Sequence, residues 1–313
     1  MKGTALIYSS HDRSNTIHND LIVQRALHGR DNQRILFLPM SETIQNGSEL
    51  ERQEYSYSRF DWYFGFYDRL GLEYLPFYWT SSLGKQDVEL LWHYLWSSEV
   101  VILGGGHSST GLHRYKQLGA RFDGEWGKFG RILHERRQRG LLTVGFSAGA
   151  DQLCEHVFRR TYDDGGDTTG FGLVRNTMVT LHHDADRNGD LHYAARRFPD
   201  QRVFGLPNDA GLNVDWGTLP SGNLWQVYEF IVDTSWTEPT DQFHIKTRQG
   251  AQIEHFDSEG RHWSFRGGDM LVRIQSPDGR FDEGWMTSGG ALLHHGSRSP
   301  SRFNSVGEVL TSH

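Results

Sequence analysis

Residues 145–150 read Gly-Phe-Ser-Ala-Gly-Ala and follow the apolar run Leu141-Leu142-Thr143-Val144. An apolar, β-branched run ending in Gly-x-Ser-x-Gly spells a strand that turns sharply into a helix. So tight a turn forces the serine into strained backbone space and admits only small neighbours, here Gly145, Ala148 and Gly149. It lifts the Ser147 hydroxyl clear of the sheet, beside free N–H groups that favour a developing negative charge. A serine nucleophile works from such a position. The same letters also suit a glycine-rich turn with a passenger serine, so the surroundings must decide.

A serine hydroxyl is inert at neutral pH unless a base lies within hydrogen-bond reach and a carboxylate holds the base's tautomer. Met178-Val179-Thr180-Leu181 reads as a strand that ends in His182-His183-Asp184. A histidine just past a strand end shares the sheet edge with Ser147, so one of this pair is the expected base. Asp163 and Asp164, in the glycine-flanked stretch 162–166, are the carboxylate candidates; a solvated turn is their competing use. An oxyanion needs two preorganised donors. The N–H of Ala148 is one, and Gly105 or Gly106 supplies the other, since a missing side chain lets backbone approach the scissile carbonyl. A phosphate cradle is the rival use of Gly104-Gly105-Gly106. No lysine follows at Walker spacing and no Gly-x-Gly-x-x-Gly is present, which argues against it.

Strand-like and helix-like segments alternate through the first two thirds of the chain. Strands are expected at 5–8, 34–39, 72–79, 99–103 and 141–146, and helices at 17–27, 86–97 and 126–139. This spacing implies parallel βαβ units in a doubly wound, three-layer α/β sandwich with a mostly parallel sheet. Ligands bind such sheets at the carboxyl ends of strands, where both glycine turns fall. The aromatic stretch 51–70 reads as a core-packing helix, with a lid or dimer face as the alternative. After about residue 205 short strands dominate, at 225–232, 243–246, 253–256, 263–265 and 270–274. The expected division is an α/β catalytic domain over 1–215 and a β-rich portion over 216–313, which either extends the same sheet or forms a small appendage. Residues 297–305 read as loose.

The 313 residues are 36% hydrophobic and 23% charged, which fits a folded globular chain. The net charge of −7 speaks against nucleic acid or an anionic membrane as partner. A lone cysteine, Cys154, excludes an internal disulfide and suits a reducing cytoplasm. The first ten residues lack the apolar core of a signal peptide, and no run approaches membrane-spanning length. The 17 histidines form no His-Glu-x-x-His and no compact ligand set along the sequence, so neither a metal nor another cofactor is expected.

Gly104-Gly105-Gly106-His107 with Thr110 and Leu112, then Gly145 to Ala150, then a histidine some 36 residues after the serine, together resemble peptidase family S51. This is the serine peptidase family of dipeptidase E and cyanophycinase, with a fold like class I glutamine amidotransferases. Gly170-Phe171-Gly172-Leu173, Gly205-Leu206-Pro207 and Leu212-Asn213-Val214 resemble further family segments, so the likeness covers about residues 1–215. It implies Ser147 as nucleophile and His183 as base with His182 as the alternative; of the two loop carboxylates, Asp164 is the one expected to complete the triad. Gly105, Gly106 and Ala148 remain the expected oxyanion donors. Arg187, His107, His182 and Asp163 are then substrate contacts, Arg187 through a substrate carboxylate. The implied activity is hydrolysis of aspartyl or isoaspartyl bonds in a small peptide through an acyl-enzyme, with a homodimer as the further expectation. This chain has His107 where the family has Asn or Gln, Asp184 where it has Phe, and Pro207-Asn208 where it has an acidic residue.

Two other readings compete. An α/β-hydrolase esterase shares the elbow but draws its histidine from far downstream, which nominates His294 or His295 with Asp269. A non-catalytic binding protein could use the same scaffold. A glutamine amidotransferase is disfavoured, because the elbow holds serine and Cys154 lies beyond it.

Overall fold

The computed structural model describes residues 4–10, 16–43, 47–158, 168–233, 251–287, 289–295 and 301–313. Five short apolar strands lie parallel: β1 (Ala5–Tyr8), β2 (Arg34–Leu38), β3 (Glu73–Pro76), β4 (Val100–Leu103) and β5 (Leu142–Phe146), in the order β3-β2-β4-β5-β1. Strands apolar at nearly every position must be covered on both faces. Successive side chains point opposite ways, and each set meets its own helices. Leu6, Tyr8, Ile35, Phe37, Ile102 and Val144 pack under Ile17 and Ile22 of a π-helical segment (Thr16–Val23) and under Ala26 of α1 (Gln24–Leu27). The same face takes Phe60 and Phe64 of α2 (Glu49–Phe64). A capping box between Ser48 and Glu51 starts α2, so the aromatic stretch is a core-packing helix, although Tyr55 and Phe66 stay exposed.

Ile7, Leu36, Leu38, Val101 and Leu103 line the opposite face with Leu91 of α3 (Lys85–Ser97), Tyr115 of α4 (Ser108–Asp123) and Phe129 of α5 (Lys128–Gln138). Arg136 of α5 is wholly buried and donates to the carbonyls of Leu95, Ser98 and Leu142. Those bonds tie the end of α3 to the start of β5. Burial pulls the Arg136 guanidinium down to about 9.

After β5 comes α6 (Ala148–Leu153). β6 (Thr177–Leu181), α7 (Asn188–Arg197) and β7 (Arg202–Leu206) then form a right-sized crossover between two parallel strands of a second sheet. β8 (Ala210–Thr218) returns antiparallel to β1, and β9 (Leu224–Val232) follows it. β10 (Ile253–Phe256) and β11 (His262–Phe265) go back to complete the second sheet, in the order β11-β10-β7-β6. β12 (Met270–Gln275), β13 (Phe281–Met286), β14 (Leu292–His295) and β15 (Ser301–Phe303) extend the large sheet beyond β9 to eleven strands. The β-rich stretch thus prolongs the parallel sheet with an antiparallel one, and β8 runs across residue 215 without a break. Phe204 and Phe265 join the two sheets through Phe230. α8 (Val306–Thr311) covers the far end, where Val309 packs with Val227, Val272 and Leu292.

The α/β class and the doubly wound arrangement agree with the alternation of segments. Two expectations need correction or setting aside. Ser301–Phe303, read as loose, pairs with β14. The strand expected at 243–246 lies outside the described residues. Among the described residues no helix is long and apolar enough to cross a membrane.

Candidate active site

Ser147 stands between β5 and α6 with φ 49° and ψ −120°, left-handed backbone that a side chain adopts only under constraint. Its N–H donates to the Tyr8 carbonyl and its carbonyl accepts from Ala150, so the turn is held from both sides. The flanking glycines leave no room for anything larger. A Cβ on Gly145 would sit 2.3 Å from the Gly149 carbonyl oxygen, and one on Gly149 would sit 2.1 Å from that of Leu103. The sharp strand-to-helix turn read from the sequence is present, with Ser147 strained at its apex.

The second glycine turn leaves β4. A Cβ on Gly105 would stand 3.4 Å from the Cβ of Ser147 and 2.9 Å from the Phe146 ring, so the missing side chain is what lets this backbone lie against the serine. Gln152 of α6 donates to Ser41 Oγ and to the Ser108 carbonyl, which fastens the elbow helix to the segment after the glycines. The Ala148 amide opens α6, where first-turn N–H groups have no carbonyl within the helix to bond. His107 is exposed and caps α4, its Nδ1 accepting from the Thr110 amide.

The imidazole at the serine is that of His182. Its Nε2 lies 3.4 Å from Ser147 Oγ. Its Nδ1 lies 2.6 Å from Asn208 Oδ1. An amide oxygen only accepts, so Nδ1 carries the proton and Nε2 presents its lone pair to the hydroxyl. The pairing follows from topology: β6 and β7 are parallel with Leu181 opposite Leu206, which brings the residues just beyond them, His182 and Asn208, side by side. His182 has φ 51°, and its N–H donates to Ser9 Oγ at 2.7 Å. Arg187 donates to the Leu181 carbonyl and pairs with Asp190, so its guanidinium braces the turn that carries His182. Each of the three guanidinium nitrogens of Arg187 is thereby engaged within the protein.

His183, expected as the base, points elsewhere. It is buried against Gly205, where a Cβ would come within 2.4 Å of the ring. Its Nε2 donates to Asn188 Oδ1 at 3.0 Å and its Nδ1 accepts from the Thr180 hydroxyl at 2.9 Å. Both ring nitrogens are used, and burial pushes the imidazole below the ordinary histidine range. It cannot take a proton from Ser147. The sign reversal at His182, where positive φ breaks the strand's alternation, decides which ring faces the serine. β6 belongs to the second sheet, so His182 approaches Ser147 from there and not from the edge of the first. Asp163 and Asp164 lie outside the described residues.

His294, the histidine of the esterase reading, is buried on β14 against Phe303 and His313, at the antiparallel end of the large sheet. Asp269 accepts from the Arg266 amide in the turn before β12. Cys154 is buried behind the elbow and its thiol is pushed up by burial. Ser9 and Asn208 were not among the expected site residues. The signal for Asn208 was its place two residues past a strand parallel to the histidine strand; for Ser9, its place just past β1, next to β5.

The comparison with curated proteins found no match. Among solved structures, one titled as a peptidase from an acI-B1 Actinobacterium superposes with a TM-score of 0.55 at 15% identity, covering 86% of this chain and 96% of that one. At that identity the likeness speaks for the fold. The profile of peptidase family S51 matches residues 5–219, which hold β1 through β8, both glycine turns, Ser147, His182 and Asn208. A match over so much of the chain shows that this protein belongs to peptidase family S51.

Proposed function

We propose that the protein is a serine peptidase in which Ser147 attacks, His182 moves the proton and Asn208 holds the imidazole. The observation that carries this is the relay Ser147 Oγ to His182 Nε2 and His182 Nδ1 to Asn208 Oδ1, at 3.4 and 2.6 Å. Contacts of this kind are long in ligand-free sites and tighten around substrate. His182 Nε2 takes the hydroxyl proton as Oγ bonds to the scissile carbonyl carbon. The resulting oxyanion accepts from the N–H groups of Ala148 and of the Gly105–Gly106 turn. The imidazolium then gives its proton to the departing amine, and the C–N bond breaks to leave an ester on Ser147. Water, deprotonated by the same imidazole, releases the acid and restores the serine. Asn208 fixes the tautomer as an aspartate would, but brings no charge to the imidazolium.

The substrate class is an aspartyl or isoaspartyl bond in a small peptide, a reading supported by the family's glycine motifs and their spacing. Hydrolysis of a panel of α- and β-aspartyl dipeptides, β-aspartyl-arginine and simple esters tests it. Turnover of the aspartyl substrates that vanishes in Ser147→Ala is expected. Ester turnover alone, or turnover that survives the substitution, would defeat it.

A further inference from the structure

Three side chains from distant parts of the sequence converge at the antiparallel end of the large sheet. Asp282 lies on β13, His294 on β14, and His313 just after α8. Each offers one ligand atom, and the three atoms lie within 4.8 Å of one another. His294 is 2% exposed, and the side chains of His313 and Asp282 are 4% and 15% exposed.

The hydrogen bonding of His313 sets its protonation. Its Nδ1 is 2.9 Å from the Val309 carbonyl oxygen, which can only accept, so the ring proton sits on Nδ1. In the neutral ring Nε2 then carries a bare lone pair. That atom is buried, makes no hydrogen bond, and lies 3.4 Å from Asp282 Oδ2. A lone pair and a carboxylate oxygen facing each other in a site nearly closed to water require a cation between them. A proton could bridge these two atoms alone; the imidazole of His294 lies 4.9 Å from that of His313 between centroids, its ligand atom within 4.8 Å of both. A metal ion uses all three. Two imidazoles and a carboxylate are ligands for Zn²⁺ and its transition-metal neighbours, whereas Ca²⁺ and Mg²⁺ take oxygen sets. Ligands about 2.05 Å from a tetrahedral ion lie roughly 3.3 Å apart, close to the Asp282–His313 separation. A metal-bound histidine commonly donates its other N–H to a backbone carbonyl, as His313 does to Val309.

We propose that Asp282, His294 and His313 bind a divalent transition metal ion, Zn²⁺ by preference, with a fourth position for water. The ion clips the end of α8 to β13 and β14. Four strands separate β13 from β5 in the sheet order. At about 4.8 Å per strand the ion is some 24 Å from the elbow, so its role is to hold structure and not to assist peptide cleavage.

The test is Zn²⁺ titration of the chelator-treated full chain against a chromogenic chelator, with Co²⁺ absorption as a second readout. One Zn²⁺ per chain is expected, with visible Co²⁺ bands of a four-coordinate site. Loss of even an outer partner costs a metal site roughly 10–100-fold in affinity, so Asp282→Asn and His313→Gln should each weaken binding at least tenfold. His93→Ala, an exposed histidine on α3, should leave it unchanged. Zn²⁺ at ~100 times its Kd should raise the Tm by about 5 °C. Absence of stoichiometric binding by the unmutated chain would overturn the proposal and leave a protonated His313 paired with Asp282. Full binding by both ligand variants would overturn it too.

Discussion

Two adjacent histidines give the sharpest discrimination, because the proposed mechanism gives them opposite duties. Replacing His182 by alanine removes the only imidazole seen within reach of Ser147 Oγ among the described residues, along with its bond to Asn208. Members of a nucleophile–base unit fail together, so turnover should fall by roughly 10⁴–10⁶-fold. The side chain is exposed, so stability should change by less than about 1 kcal/mol. Replacing His183 by alanine does the reverse. It empties a 3% exposed site and strips Thr180 and Asn188 of their partner. A cavity and a lost pair of buried hydrogen bonds together cost about 2–4 kcal/mol. In a domain of this size that lowers the Tm by roughly 5–10 °C. The remaining folded molecules should keep kcat within about tenfold. The assay is kcat and KM on an aspartyl substrate, normalised to folded protein, beside thermal melts of both variants. If folded His183→Ala is dead while His182→Ala keeps its activity, the assignment of the base is wrong.

Other consequences follow from the same geometry. Asn208→Ala frees the His182 tautomer and should lower kcat by ~10²-fold with little change in KM, read by steady-state kinetics; an unchanged kcat would remove Asn208 from the mechanism. His255 is held near a pKa of about 4, first by burial and against the opposing hydrogen bond to the Val203 carbonyl, from an ordinary 6.5. The unfolded chain therefore binds the extra proton first as pH falls. Stability is full above about 6.5 and declines toward 4, by about 3 kcal/mol for this group; denaturant melts across that window should show the decline, and His255→Phe should flatten it. Arg136→Leu strands three main-chain carbonyls in the core and should cost about 3–5 kcal/mol, measured by urea unfolding.

What could be read from the sequence was local. The elbow is contained in six consecutive residues, and its strain follows from the small neighbours it needs. The parallel strands announced themselves by being apolar throughout, as doubly covered strands must. The choice between His182 and His183 was not legible, because it depends on one backbone dihedral that turns the chain over after Leu181. Asn208 was visible only as a departure from the family's acidic residue; its contact with His182 exists because β6 and β7 run parallel in a given register. The strands β13 to β15 carry polar and aromatic residues in short alternations that periodicity does not separate from loop. The cluster of Asp282, His294 and His313 has no compact spacing, since two strands and a helix must first assemble.

The most direct test of the serine mechanism is reaction of the folded protein with a fluorophosphonate, read by intact mass and peptide mapping. One adduct per chain on Ser147 is the expected result, absent in Ser147→Ala and strongly slowed in His182→Ala. An unlabelled folded protein, or an adduct that persists without Ser147, would contradict the account.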